Sequence, residues 1–314
     1  MDLPTAGRVS QTLGLSYMSY NLDQLAGKLY SEGPTQTLFH YTSLQAIEQI
    51  VPTAKLRASE VHYLNDASEI QLATEVYKRS LAKVANAEIE TSEIRRQLLG
   101  WLDERVANGY WLFVVCFTEQ GDLLSQWRGY TPHGQGVSLG FETDHLLARA
   151  EEQGFRFGKC IYDRHKQQTL ADHAMQLVMT HAVQYGAASQ SLAHPTQSYY
   201  PAFAECEVAL LRIAALIKHH AFEAEQEWRA VSEPLADLRD RRLTFRAGRS
   251  TMVPFLHFCL RANDSTSIGV SRAVHGPTPH QNLAVAALSS FLARHNSSEA
   301  RRTVRPSAVP YRET

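Results

Sequence analysis

Residues 110–117 read YWLFVVCF, an unbroken apolar run rich in aromatic and β-branched residues. A run of this length and composition predicts a β-strand that is buried on both faces. Five further candidate strands accompany it, at residues 37–41, 137–141, 155–162, 227–231 and 252–260. Helical patterns dominate residues 167–220. Strands dispersed among helices predict an α+β fold, with a single twisted and split, mainly antiparallel sheet and a helical insertion at about 165–221.

The composition is that of a globular protein. Of the 314 residues, 44% are hydrophobic and 20% are charged, which excludes disordered, coiled-coil and collagen-like chains. Residues 1–34 are polar and predict an N-terminal extension, followed by a single domain over 35–314, although the length also allows two domains. Because no window is apolar over the ~18 residues that a membrane span needs, we expect a cytoplasmic protein without a membrane partner.

Neither cysteine nor histidine spacing indicates a metal site. The four cysteines are widely separated and form no C-x-x-C pair, which favours buried reduced thiols. None of the fourteen histidines belongs to a pair spaced i, i+4 with a glutamate, as a helical zinc site would require. We therefore expect no metal.

Positive charge is concentrated toward the end of the sequence. The net charge is −1, yet residues 237–314 contain twelve arginines, no lysine and five acidic residues. One interpretation is that this stretch neutralises the acidic remainder of the molecule. The other is that part of it binds a phosphate-bearing ligand or nucleic acid, because the planar guanidinium suits phosphate.

A serine-hydrolase pattern, G-x-S-x-G, occupies Gly136–Gly140. The pattern has catalytic meaning only where a buried strand turns sharply into a helix and exposes the serine. Here a loop precedes it and the motif itself alternates as a strand, so the sequence argues against a nucleophile at Ser138.

Polar and aromatic side chains stand at the ends of several predicted strands, where binding sites are commonly built. Glu225 and Glu227 lie two residues apart at the start of a strand, and Arg229 would share their face. Arg246 and Arg249 flank a turn, and at least two of Arg229, Arg246 and Arg249 are predicted to face the cleft of the two glutamates, because neighbouring carboxylates need cations nearby. The residues predicted to converge on one cleft are His40, Asn65, Asp66, Trp127, Tyr130, Glu225, Glu227 and Arg229.

An ordered set of short motifs resembles the bacterial family called domain of unknown function 2971. The resemblance extends from about Leu38 to Arg312 and its name implies no chemistry. The motifs are LFHYTS (38–43), LRAS (56–59), LNDASE (64–69), CFT (116–118), QWRGY (126–130), GQGVSLGF (134–141), KHHAFEAEQEWR (218–229) and SAVPYR (307–312).

A looser resemblance, carried by the strand end His40-Tyr41-Thr42 and the late glutamates, is to the ADP-ribosyltransferase fold. It implies that NAD is the substrate, that His40 binds the ribose on the nicotinamide side, and that the strand end and the Asn65-Asp66 turn contribute to NAD binding. An aromatic side chain, Tyr41, Trp127 or Tyr130, would stack on nicotinamide.

In the same resemblance, Glu227 would be catalytic, with Glu225 alongside. The implied activity is transfer to an unknown nucleic-acid or protein acceptor, or NAD hydrolysis, in an anti-phage or toxin-type effector. The alternative is a non-catalytic module that binds nucleic acid or a nucleotide through the arginine-rich final third. The sequence predicts no oligomeric state.

Overall fold

A computed structural model describes residues 21–64, 68–83, 89–109, 111–131, 135–188, 198–248, 250–262, 265–295 and 300–310. The chain divides into two compact units. A helical unit comprises residues 1–31, 65–111 and 161–220, and a sheet unit comprises residues 32–64, 112–160 and 221–314. The helical unit therefore draws on three segments, one of which coincides with the predicted insertion.

The regular elements follow one another in the order β1 Leu38–Thr42, α1 Leu44–Thr53, β2 Lys55–Glu60, α2 Ser68–Lys83, α3 Ile89–Asn108, β3 Phe113–Thr118, α4 Leu124–Tyr130, β4 Val137–Phe141, α5 Thr143–Glu152, β5 Arg156–Lys159, α6 Arg164–Ala188, α7 Tyr200–Ala214, β6 Glu227–Val231, β7 Thr244–Ala247, β8 Met252–Cys259, β9 Val270–His275, α8 Gln281–Arg294 and β10 Val304–Pro306. Short 3₁₀ helices span Val61–Tyr63, His220–Glu225 and Ala300–Arg302.

The helical unit is held together by apolar packing and by ion pairs that are largely removed from water. Ile94, Phe203 and Ile213 are fully buried within it. The Arg105 guanidinium lies 2.7 Å from the Glu207 carboxylate, which is 2% exposed. Buried carboxylates of this kind must be paired, because an unpaired charge in the interior is strongly destabilising.

The sheet unit is built around β3, the strand formed by the apolar run. Its strands follow the order β10-β9-β4-β1-β3-β2-β8-β7, and β6 pairs with both β3 and β5. Apart from the parallel pair β9–β10, the neighbours are antiparallel. The predicted α+β fold with a mainly antiparallel sheet is confirmed.

β3 is the point at which the sheet splits. Along one edge it pairs with β6 from Val114 to Thr118. The opposite edge is shared, because β2 pairs with its first residues, Phe113 and Val114, whereas β1 pairs only at Thr118. None of the described strands pairs with the middle of that edge, and this leaves room for side chains between β1 and β2.

All six strands predicted for the sheet are present. The strand expected at 155–162 is shorter, Arg156–Lys159, because its antiparallel partner β6 begins at Glu227, whose carbonyl accepts the last bond, from the Cys160 N–H. Ser138 lies inside β4 and is wholly buried, which agrees with the argument against a nucleophile there.

The four cysteines are unpaired thiols, two of them buried. None of the described helices is long and apolar enough to cross a membrane.

Candidate functional site

The side chain of His40, on β1, reaches the middle of the β3 edge, between the segments of that edge that pair with β1 and with β2. Its Nδ1 lies 2.9 Å from the Cys116 carbonyl oxygen, and since a carbonyl only accepts, Nδ1 must carry the hydrogen. Burial lowers the pKa of His40 below its usual 6.5, so the ring is neutral near pH 7 and Nε2 is an acceptor. Nε2 has no hydrogen-bond partner among the residues that the structure describes. The backbone of β3 thereby fixes the tautomer and leaves one acceptor for a ligand.

A small cavity of about 60 Å³ lies beside His40. β1, β3, α4 and β6 all contribute to its walls. Its polar and aromatic lining includes His40, Tyr41, Gln126, Tyr130 and Glu227. Residues nearly 190 positions apart in the sequence therefore meet at one place, as the sequence predicts for His40, Tyr130 and Glu227.

Glu227 enters this cavity from the first position of β6, opposite Thr118 of β3. Its Oε1 accepts a hydrogen bond of 2.7 Å from Nε of Arg229, and the two side chains are 3% and 1% exposed. The spacing of two residues along one strand puts both on the same face, as predicted. The guanidinium supplies the cation that a buried carboxylate requires.

Glu225 has a different environment. The Thr118 hydroxyl donates to its backbone carbonyl, and the residue is buried, but it does not line the small cavity. Of the two carboxylates that the sequence leaves open, the structure brings Glu227 to His40.

The three predicted aromatic residues, Tyr41, Trp127 and Tyr130, differ in burial and in whether they line the small cavity. The Tyr41 hydroxyl donates to the Gln120 carbonyl and accepts from the Leu123 N–H, both at 2.8 Å, and burial raises the pKa of Tyr41. Trp127 is wholly buried, packs edge-on against Tyr41 at 4.6 Å, and lines neither cavity described here. Tyr130 is partly buried and lines the small cavity, so it is the most exposed of the three predicted aromatic residues.

Gln126 is a site residue that sequence reasoning missed. It is 6% exposed and lines the small cavity. Within the described residues its side-chain amide has no hydrogen-bond partner. Its position one turn before Tyr130 on α4 is the signal that could have found it, because residues four apart share a helix face.

A larger cavity of about 360 Å³ also borders His40, and its walls come from β1, α1 and the β2–β8–β7 part of the sheet. His40 and Thr42 line it from β1. Its charged and titratable lining consists of His40, Lys55, Arg57, Arg246 and His257, and no carboxylate is among the lining residues. The cavity is therefore cationic.

The strand register explains why these cations face one way. Arg57 of β2 pairs with His257 of β8, and Arg246 of β7 pairs with Val253 of β8. Because side chains alternate between the two faces of a sheet, Lys55, Arg57, His257 and Arg246 all lie on one face. Sequence reasoning found Arg246 but missed the other three, whose signal is the alternation of basic and apolar residues in KLRAS (55–59).

Arg57 is held in place within this cavity. Its Nη2 donates to Oε1 of Gln49 at 2.8 Å, and the guanidinium carbon lies 5.6 Å from the centre of the Phe255 ring. The His257 ring packs edge-on against Phe255 at 5.2 Å. Burial, followed by the positive charges of Lys55 and Arg57, lowers the pKa of His257.

The remaining predicted site residues, Asn65, Asp66 and Arg249, lie outside the described residues. Thr42 and Arg246 line the larger cavity, whereas Glu227 and Tyr130 line the smaller one, and His40 lines both. In the part of the chain that is described, no group of three His, Cys, Asp or Glu side chains is arranged to hold a metal ion.

We expect the stability contributed by His40 to depend on pH. Folding lowers the pKa of His40 below 6.5. As the pH falls through 6.5, the imidazole is therefore protonated in the unfolded chain but stays neutral in the folded chain, and the free energy of unfolding decreases. His40→Asn keeps an amide donor for the Cys116 carbonyl but does not titrate. Chemical denaturation should show the wild type losing up to about 1.4 kcal/mol per pH unit relative to this variant between pH 7.5 and 5.5. A difference that is constant with pH would contradict the burial of a neutral His40.

A family model described as Protein of unknown function (DUF2971) matches residues 126–230. The match includes Gln126, Tyr130 and Glu227 of the small cavity, and it supports the family resemblance that the motifs carry. No curated protein and no solved structure matches the chain.

Proposed function

We propose that this member of the DUF2971 family is an NAD-using ADP-ribosyltransferase or NAD glycohydrolase with an ADP-ribosyltransferase-like fold. The observation that carries the proposal is that His40 lines two cavities, one of which presents a carboxylate whereas the other is cationic. One contains the Glu227 carboxylate and the other contains Lys55, Arg57 and Arg246. NAD has a matching polarity, because its pyrophosphate is anionic while the ribose carbon attached to nicotinamide becomes cationic as the bond breaks.

Each described residue has a role in this proposal. Nε2 of His40 accepts a hydrogen bond from a hydroxyl of the ribose next to nicotinamide. Tyr130 stacks on the nicotinamide ring, and the Gln126 amide hydrogen-bonds its carboxamide. The pyrophosphate lies in the cationic cavity, where guanidinium groups bind phosphate oxygens.

The chemical step is a substitution at the ribose carbon C1′. The bond from C1′ to the pyridinium nitrogen breaks and its electron pair stays on nicotinamide, which leaves neutral. Positive charge develops on C1′ and the Glu227 carboxylate stabilises it, as preorganised charges do in transition states. A hydroxyl of the acceptor, or water, then forms the new C1′–O bond and loses its proton.

The direct test is to incubate the purified protein with NAD and measure free nicotinamide, with and without candidate protein and nucleic-acid acceptors. Release of nicotinamide that is lost in the Glu227→Gln variant would support the proposal. Absence of release with water and with every acceptor would contradict it.

One further observation favours the alternative, a non-catalytic nucleic-acid-binding module. Five exposed arginines of the sheet unit have no ion-pair partner among the described residues: Arg272, Arg294, Arg301, Arg302 and Arg305. They surround β9, α8 and β10, the outer end of the sheet. An unneutralised group of this kind attracts a polyanion.

If the alternative holds, single-stranded DNA or RNA should bind with an affinity that falls steeply with salt. Each phosphate neutralised contributes about −0.7 to the slope of log K against log salt concentration, so contact with several of these arginines predicts a slope near −3. Fluorescence anisotropy between 50 and 300 mM salt measures it, with an Arg301→Ala/Arg302→Ala variant as the control. A flat salt dependence excludes the module.

A further inference from the structure

We infer that the cationic cavity selects a dinucleotide carrying a third phosphate on its adenosine ribose, so that the preferred substrate is the 2′-phosphorylated form, NADP. This inference rests on the proposed function, because it names the substrate of the same site. Three lines of observation carry it: the charge of the cavity, the fixed position of Arg57, and the length of the cationic row on β2.

The charge of the cavity exceeds what an unphosphorylated dinucleotide can match. Lys55, Arg57 and Arg246 carry three permanent positive charges, and no carboxylate lines the cavity. Among the described residues, neither Lys55 nor Arg246 has a side-chain ion pair or hydrogen bond. A pyrophosphate bridge brings two negative charges, whereas a phosphate monoester adds about 1.5–2 more at pH 7. The third cation is matched only when the monoester is present.

Arg57 is preorganised to bind a phosphate. Gln49 holds one of its nitrogens and the Phe255 ring lies against the guanidinium. Such fixation lowers the entropy lost on binding, because the side chain is already ordered in the free protein. The guanidinium has five N–H donors and Gln49 takes one, so donors remain for two phosphate oxygens.

The cations stand in a row along β2 that is long enough for more than one phosphate group. Ser59 lies at the end of β2 that pairs with β3, the strand to which His40 is anchored. Arg57 and then Lys55 follow on the same face at intervals of about 7 Å. Arg57 and Lys55 are therefore far enough apart to contact two different phosphate groups of one dinucleotide.

His257 reinforces the selection. It pairs with Arg57 across the strands, and the cations that face it are Lys55 and Arg57 from β2, with Arg246 on β7 and His40 on β1 lining the same cavity. A phosphate monoester bound among these groups would favour the protonated imidazole. The phosphorylated ligand then gains a further cation that the unphosphorylated one recruits less strongly.

The test compares NADP with NAD by isothermal titration calorimetry on the full chain. We expect NADP to bind at least tenfold more tightly at 150 mM salt. Lys55→Ala should remove most of this preference, and Arg57→Ala should weaken the binding of both ligands. Arg261→Ala is the matched control, because it removes an exposed arginine of the same unit that lines neither cavity.

The outcomes separate this inference from the proposed function. Equal affinities, or a preference that survives Lys55→Ala, would overturn the inference, even if nicotinamide is released. ATP binding as tightly as NADP would also overturn it, because the cavity would then respond to charge alone. Tight, Lys55-dependent binding of NADP supports the inference even where no nicotinamide is released, and in that case only the catalytic proposal fails.

Discussion

Glu227→Gln is expected to lower nicotinamide release by about 10²–10³-fold, the loss typical when one preorganised group that stabilises transition-state charge is removed. The substitution takes away the negative charge that faces C1′. It keeps an oxygen that can still accept the Arg229 hydrogen bond now received by Oε1. The fold should therefore persist, and the loss should appear in kcat more than in KM. Nicotinamide quantified by chromatography over a range of dinucleotide concentrations measures both.

Glu225→Gln is the matched comparison, since it removes an equally buried carboxylate two residues away. Its side chain does not line the small cavity, so this variant should retain most of the activity. If Glu225→Gln is inactive and Glu227→Gln is active, the proposed assignment of the catalytic carboxylate is reversed. Melting temperatures of both variants show whether a loss of activity reflects chemistry or unfolding.

Arg229→Met should produce the largest loss of stability. The guanidinium is 1% exposed and bonds a carboxylate that is 3% exposed. Removing one member of a buried pair leaves an uncompensated charge in the interior, which costs about 3–5 kcal/mol. The melting temperature should fall by roughly 10 °C. Differential scanning calorimetry at pH 7.5 checks this.

The double variant Glu227→Gln/Arg229→Met identifies the origin of that loss. With the carboxylate neutralised, the charge that the Arg229 guanidinium faces at 2.7 Å is removed, so the double variant should be more stable than Arg229→Met alone. If the two substitutions are simply additive, the cost arises from lost packing around Arg229 and not from the charge of Glu227.

The sheet could be predicted from the sequence because local pattern determines it. The run at 110–117 is apolar without interruption, and such a run is stable only where a sheet covers both of its faces. The order of the strands could not be predicted, because pairing between distant segments depends on which edges remain open. The split at β3 arises in this way, from β2 and β1 sharing one edge.

The candidate site was predictable in part for the same reason. Tyr130 and Glu227 stand at element ends, and His40 lies near the end of its predicted strand, where polar residues indicate a binding site. Lys55, Arg57 and His257 sit within strands, and there a basic residue looks like an ordinary solvent-facing position until the register shows which face it shares. Trp127 illustrates the opposite error of inference. Its aromatic character suggests stacking on a ligand, yet the structure uses the indole to support Tyr41 and to donate to Asp122.

The split at β3 also has a consequence for how the molecule acquires its structure. His40 bonds a carbonyl 76 positions away, and Thr118 bonds the carbonyl of a residue 107 positions further along. Closing such long loops costs chain entropy before the contacts between the two ends can form and stabilise the fold. Chains rich in these contacts therefore fold slowly. β6, which pairs with β3, also carries the Glu227 side chain that lines the small cavity with His40. The ligand-binding arrangement should therefore appear in the slowest phase of refolding, with no earlier intermediate able to bind.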